Sequence, residues 1–208
     1  MIAALYVIKD GPYYGLDGVD PWDEQRDARL YAGPHPVVAH PPCERWGRYW
    51  GGGPMLHGTP RQRTLGDDNG CFASALWVVR TFGGVLEHPE ASHAWQWFGL
   101  RRPPKSGGWW LADEYGGWTC CVEQGHYGHM ARKATWLYAV GAKLPGLHWG
   151  PSAADVRIDP GFHSSAERAA ASDEERTVSR LSALERIATP PEFRDVLLSI
   201  ARSCEKNP

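Results

Sequence analysis

Nowhere in its 208 residues does the chain hold the ~18–20 consecutive apolar residues that a bilayer-spanning helix needs, so no membrane partner is expected. The opening MIAALYVIKDG is too short and too soon interrupted for a signal peptide, and it reads as a first buried strand. Cysteines number five, with Cys120 and Cys121 adjacent and no C-x-x-C pair. That is a poor disulfide framework, and it fits free thiols in a reducing, cytoplasmic setting. Cys121-x4-His126-x2-His129 holds metal-ligand residue types, and His35, His40, His57 and His93 add candidates. The spacing matches no usual zinc module, and no metal is expected. Strong charge is missing too: a net charge of −2 gives no global attraction to a polyanion. No internal repeat occurs.

Charge is instead local. Arg45, Arg48, Arg61 and Arg63 form one basic group, Arg101, Arg102 and Lys105 a second, and Arg132 and Lys133 a third. Acidic residues gather in Asp10 to Asp27 and after Asp155. This pattern fits either a basic binding face or an ordinary solvated surface. Tryptophan (11) and glycine (24) are abundant, mostly between Trp46 and Trp149, as in RWGRYWGGG and SGGWWLADEYGGW. Aromatics set between glycines suit loops that stack flat ligands such as bases; the plainer reading is that they fill a core short of aliphatic residues.

Apolar patterning organises the chain. IAALYVI (2–8), HPVVAH, VLEHP, GWTCCVEQ and KATWLYAVG read as short strands. PWDEQRDARLY fits a short helix with Pro21 in its first turn. DDNGCFASALWVVRTF carries a helical period, with Asp67 or Asp68 as cap and Gly83-Gly84 as stop. EASHAWQWFGL fits another short helix, followed by a solvated loop through Pro103-Pro104. The region 44–66 is too long a Gly/Pro/Arg loop for a passive connector. SRLSALERIATPPEFRDVLLSIARSC reads as two amphipathic helices broken at Pro190-Pro191. Strands alternating with helices predict an α/β fold with a mostly parallel sheet. The expected organisation is a catalytic domain over 1–150, a flexible linker over 151–178 and a helical C-terminal tail over 179–208.

One segment demands a chemical reading. In VVAHPPCERWG, two prolines force a stiff exit from a buried strand and present Cys43 at its end. Glu87 ends a second strand in VLEHP, and YGHMARKATWLYAVG leads into a third. Strand carboxyl ends line the ligand crevice of an open α/β sheet, so a thiol and a carboxylate there are able to face one substrate.

These three motifs, in this order from about Pro36 to Gly141, resemble those of the DNA cytosine-5 methyltransferases, most closely their short phage- and prophage-encoded relatives. The resemblance implies a Rossmann-like methyltransferase-type sheet, here trimmed at its N-terminus. It implies Cys43 as nucleophile at cytosine carbon 6, Glu87 as the acid that holds the ring, and Arg132 with Lys133 as the basic pair. The partner it implies is DNA, single- or double-stranded, or a nucleotide. The base has to leave the stack to be attacked, and Arg45, Trp46, Arg48, Lys133 and His126 are the expected nucleic-acid contacts. Arg45 and Arg48 are expected to favour the thiolate, since an ordinary cysteine of pKa ~8.5 is mostly protonated at neutral pH. S-adenosylmethionine is the implied cofactor, with Asp20, Trp22 and Pro41 as its candidate contacts.

The sequence also departs from the pattern. The glycine-rich strand-loop-helix that cradles the methyl donor has no room before Val37, His88 stands where the family has asparagine, and Thr135 where it has a second arginine. Two alternatives follow: a diverged relative performing another base or nucleotide modification without the usual donor, and a non-catalytic nucleic-acid-binding module.

Overall fold

The computed structural model describes residues 1–48, 50–51, 63–153, 156, 158, 169–170 and 181–204. Seven strands form one sheet: β1 (Ile2–Leu5), β2 (Val19–Trp22), β3 (Val37–Ala39), β4 (Gly84–Pro89), β5 (Trp110–Leu111), β6 (Trp118–Glu123) and β7 (Ala134–Val140). Their order is β2-β1-β3-β4-β7-β6-β5. Among the described residues, α1 (Cys71–Phe82), α2 (His93–Trp97), α3 (Ala183–Ile187) and α4 (Pro191–Arg202) accompany them.

The fold is α/β, but the sheet is mixed rather than mostly parallel. β2, β1, β3 and β4 run parallel, whereas β7, β6 and β5 each pair antiparallel with the preceding neighbour. The reason is connection length. A parallel return needs a crossover of roughly a dozen residues or more, usually a helix. Residues 124–133 supply only a short 3-10 turn at Gln124–Tyr127, so β7 folds straight back on β6.

Alternation along the buried strands divides the core in two. Ala3, Leu5, Val37, Ala39 and Leu86 face α1 and α2. Ile2, Ala4, Val38, Val85, Leu137 and Ala139 face α4. Helix α4 opens with Pro191 at its first position, where a missing N–H costs nothing, and buries Phe193, Leu197, Leu198, Ile200 and Ala201 on the sheet. The expected C-terminal tail thus ends in a helix that forms part of the core. The polar stretch before it and much of the loop 44–66 lie outside the described residues.

Two local expectations fail. Pro21 sits in β2, an edge strand that tolerates proline, and only a 3-10 turn (Ala28–Leu30) forms after it. WWL, read as loop, supplies the edge strand β5, whose two residues are exposed. The glycine stop after α1 holds: Gly83 and Gly84 both take positive φ, and a side chain at Gly84 would run into the Val37 backbone.

Asp68 ties the loop after β3 to α1. Its carboxylate accepts the Trp46 indole N–H at 2.7 Å, the Phe72 N–H at 2.8 Å and the Gly70 N–H at 3.0 Å. Replacing Asp68 by alanine leaves a buried indole donor and the start of α1 without partners. We expect a loss of about 2–3 kcal/mol in urea unfolding, with the m-value unchanged.

Candidate functional site

Strand β1 lies between β2 and β3, so the chain leaves it toward one side and then the other, a switch point whose crevice opens at the carboxyl ends. At that end β3 stops because its next residues lack the donors a ladder needs. His40 N–H still bonds Leu5 O at 3.1 Å, then Pro41 (buried) and Pro42 (exposed) break the pairing. Cys43 follows, half-buried, and its carbonyl accepts the N–H groups of Trp46 and Gly47, closing a turn.

His40 extends the face of Val38 and Glu87 that of Val85, because side chains alternate along a strand. With Ala39 paired to Leu86, the next residues lie side by side. His40 Nδ1 stands 2.9 Å from Glu87 Oε2. Its Nε2 stands 2.8 Å from the hydroxyl of Tyr13, a residue only 3% exposed in the connection between β1 and β2. Gln124 Nε2 donates to Glu87 Oε1 at 3.2 Å and to Thr135 Oγ1 at 2.9 Å. The His40 and Glu87 side chains keep 13% and 11% of their surface open. Lys133 completes the group. It precedes β7 with a left-handed backbone (φ 42) and donates its ammonium to the Ala188 carbonyl at 2.6 Å.

The charges of this cluster act on one another. Burial works to raise the Glu87 carboxyl, but the hydrogen bond and charge of His40, with Lys133 and His88, outweigh it and hold the group below its usual range. Burial pushes the Cys43 thiol up, Glu87 and Glu44 push the same way, and Lys133 opposes them. Burial lowers Lys133 against the pull of Glu87 and Cys43. On the opposite face of β4, burial drives His88 down to about 4. Its ring lies 5.2 Å from Phe72 and 6.2 Å from Trp95, neither nitrogen meets hydrogen-bond geometry, and the Pro42 carbonyl serves it only loosely. The resting site therefore holds a protonated thiol, a carboxylate and an ammonium.

The expected residues divide accordingly. Cys43, Glu87 and Lys133 share the site. Arg132 does not join it: that side chain is exposed, and the cation acting on Cys43 and Glu87 is its neighbour Lys133. Arg45 is half-buried and Arg48 exposed, and the cation that opposes the rise of the thiol is Lys133. Trp46 is 2% exposed and packed against Phe72, Trp97 and Phe98 with its N–H on Asp68. It is a core residue with no open ring face for a base. His126 sits in the turn after β6, its Nε2 3.0 Å from the Gly150 carbonyl.

The proposed cofactor contacts are occupied by protein. Both oxygens of Asp20 are engaged, Oδ1 by Arg26 at 2.5 Å and Oδ2 by the Trp22 indole at 2.8 Å, while the Arg26 guanidinium lies 4.1 Å above the Trp22 ring. Pro41 is buried. The connection 6–18 forms turns only, without the helix whose N-terminus would face a bound nucleoside or its charged tail. Cavities of about 90 Å³ beside Glu90 and Cys121 and about 160 Å³ beside Tyr127 and His148 do not border Asp20. These residues do not fit S-adenosylmethionine, and no step is derived through it. Among the described residues no three His, Cys, Asp or Glu are grouped to hold a metal ion. His129, weighed as a ligand, has its nitrogens beside the Ala131 and Glu185 carbonyls.

Tyr13 and Gln124 are not singled out by the sequence, and His40, a candidate metal ligand there, is here the partner of Glu87. His40 was legible, because period two in VVAH and VLEH puts it on the Glu87 face. Tyr13 and Gln124 sit in turns, where no period operates. No protein-family model matches the chain, and no curated protein or solved structure matches it either.

Two outcomes follow. Iodoacetamide should alkylate Cys43 slowly at pH 7 and much faster above pH 9, and Lys133→Met should move that rise to still higher pH, as followed by intact mass. Because His88 binds its proton less readily folded than unfolded, stability should fall as pH drops from about 6.5 toward about 4, by at most about 3 kcal/mol. Urea unfolding of His88→Asn should lose that component of the pH dependence.

Proposed function

We propose that the protein modifies a pyrimidine base, cytosine foremost, in DNA or in a nucleotide, through addition of Cys43 to ring carbon 6. The observation that carries this reading is the cluster itself: a half-buried thiol beyond β3 and a carboxylate on β4 that interact with each other and with one lysine. The finer fold reading belongs with it: the parallel half β2-β1-β3-β4 is the counterpart of a Rossmann-like methyltransferase sheet whose first crossover is reduced to turns.

The chemistry needs little beyond these groups. The Cys43 thiol loses its proton to solvent as sulfur bonds to carbon 6. The electron pair of the 5,6 double bond moves into the ring toward nitrogen 3, and carbon 5 becomes nucleophilic. Lys133 is the cation near the developing negative charge. Glu87, ionised and bound on each oxygen by one donor, retains acceptor capacity for the exocyclic amino group of cytosine or the ring N–H of a uracil-type base. When carbon 5 takes up a proton and releases another, expulsion of the thiolate restores the double bond. This cycle needs no group donor.

One observation favours a second reading. The resting thiol is protonated and both Glu87 oxygens already have protein partners, as a binding module that holds a base without attacking it would have. The same experiment separates the two. With a cytosine-containing oligonucleotide or deoxycytidine monophosphate in deuterium oxide, we expect deuterium at carbon 5 by mass spectrometry. On DNA containing 5-azacytosine, whose more electrophilic ring holds the sulfur–carbon 6 bond without any group transfer to position 5, a covalent adduct should form. Cys43→Ala should abolish both, and Glu87→Gln should slow exchange by about 100-fold or more. Wild-type protein that gives neither product overturns the catalytic reading, and salt-dependent binding without product selects the module.

A further inference from the structure

The Tyr13–His40 pair has no part in the addition chemistry, yet it is the most completely built feature of the site. We propose that His40 is a positioning residue: clamped between the Tyr13 hydroxyl and Glu87 Oε2, it holds Glu87 as a fixed, charged acceptor at the strand ends beyond which Cys43 lies. This rests on the reading of Cys43 and Glu87 given above.

Chemistry sets one direction. An ionised Glu87 only accepts, so the His40 ring carries a proton on Nδ1 and donates it to Oε2 at 2.9 Å. On its other side, Nε2 meets the hydroxyl of Tyr13 at 2.8 Å, a phenol that burial and the nearby Glu87 keep from ionising. Gln124 donates to the other oxygen. The carboxylate is thus fixed by one donor on each side. Burying such a chain costs desolvation that an apolar core would avoid. This one lies at the strand ends, keeps about a tenth of the His40 and Glu87 side chains open, and its carboxylate acts on a half-buried thiol.

Among the described residues, other charged groups act on Glu87 from the elements around it. Lys133 approaches from the start of β7, Cys43 from the exit of β3 and His88 from the opposite face of β4. Helix α4 brings Arg194 and Asp195 toward Tyr13, where their charges oppose each other. Of all these, His40 does most to keep Glu87 ionised against burial. Without it the carboxyl takes up a proton at higher pH and turns from acceptor to donor.

The test reads Glu87 itself. In protein carrying carboxyl-13C glutamate, with the Glu87 resonance assigned through Glu87→Gln, the wild-type carboxyl should titrate below the ordinary range. In His40→Leu its midpoint should rise by about one pH unit or more, while His40→Gln, which retains a donor, should stay near wild type. The acid limb of carbon-5 deuterium exchange should move with it. An unchanged Glu87 midpoint in His40→Leu overturns the proposal. A shifted midpoint in protein that never exchanges carbon-5 hydrogen leaves the positioning role standing and removes the pyrimidine reading. If His40→Leu fails to fold, Tyr13→Phe carries the test: its Glu87 midpoint should rise by a smaller amount, and no rise overturns the proposal.

Discussion

Strands β3 and β4 run parallel with Val37 beside Gly84 and Ala39 beside Leu86, and the site depends on that register. A slip of one residue would send His40 and Glu87 to opposite faces of the sheet. Two features hold the register. The missing side chain at Gly84 lets the strands approach, and the prolines after His40 end β3 where Glu87 begins to face the crevice. His40 and Glu87 are therefore placed by backbone pairing, while Cys43 and Lys133 are carried by the turns that flank the strands.

The elements legible in the sequence were those whose side chains report burial directly. IAAL and VVA are apolar on both faces because both faces are covered, and α1 shows its period because one side meets the sheet. Strand direction was not legible, since an antiparallel strand buried on both faces carries the same apolar signal as a parallel one. GWTCCVEQ and KATWLYAVG gave strands without orientation, and only the short connection between them decides it. WWL hid its strand because both residues of the edge pair are exposed.

The site was half legible for a related reason. Cys43 and Glu87 stand at strand ends beside prolines, and residue type plus position marks them. Their partners come from turns, where contact is set by three dimensions. The aromatic residues divide in the same way. Trp46, Trp95 and Trp136 are core, while Trp97, Trp110 and Trp118 reach solvent, and composition alone does not sort them. Arginine abundance after Cys43 does not reveal which cation acts on the sulfur, because proximity in sequence is not proximity in space. The lysine that does act on the thiol lies some ninety positions later.

Helix α4 follows every other described element in the chain, yet its buried side completes the face of the sheet on which Glu87 stands, and Arg194 reaches back to the Pro12 carbonyl at 2.9 Å, next to Tyr13. A chain emerging from the ribosome has made every strand of the sheet before the helix that packs beside Tyr13 exists, so a product cut short after β7 carries the thiol without the finished acid network.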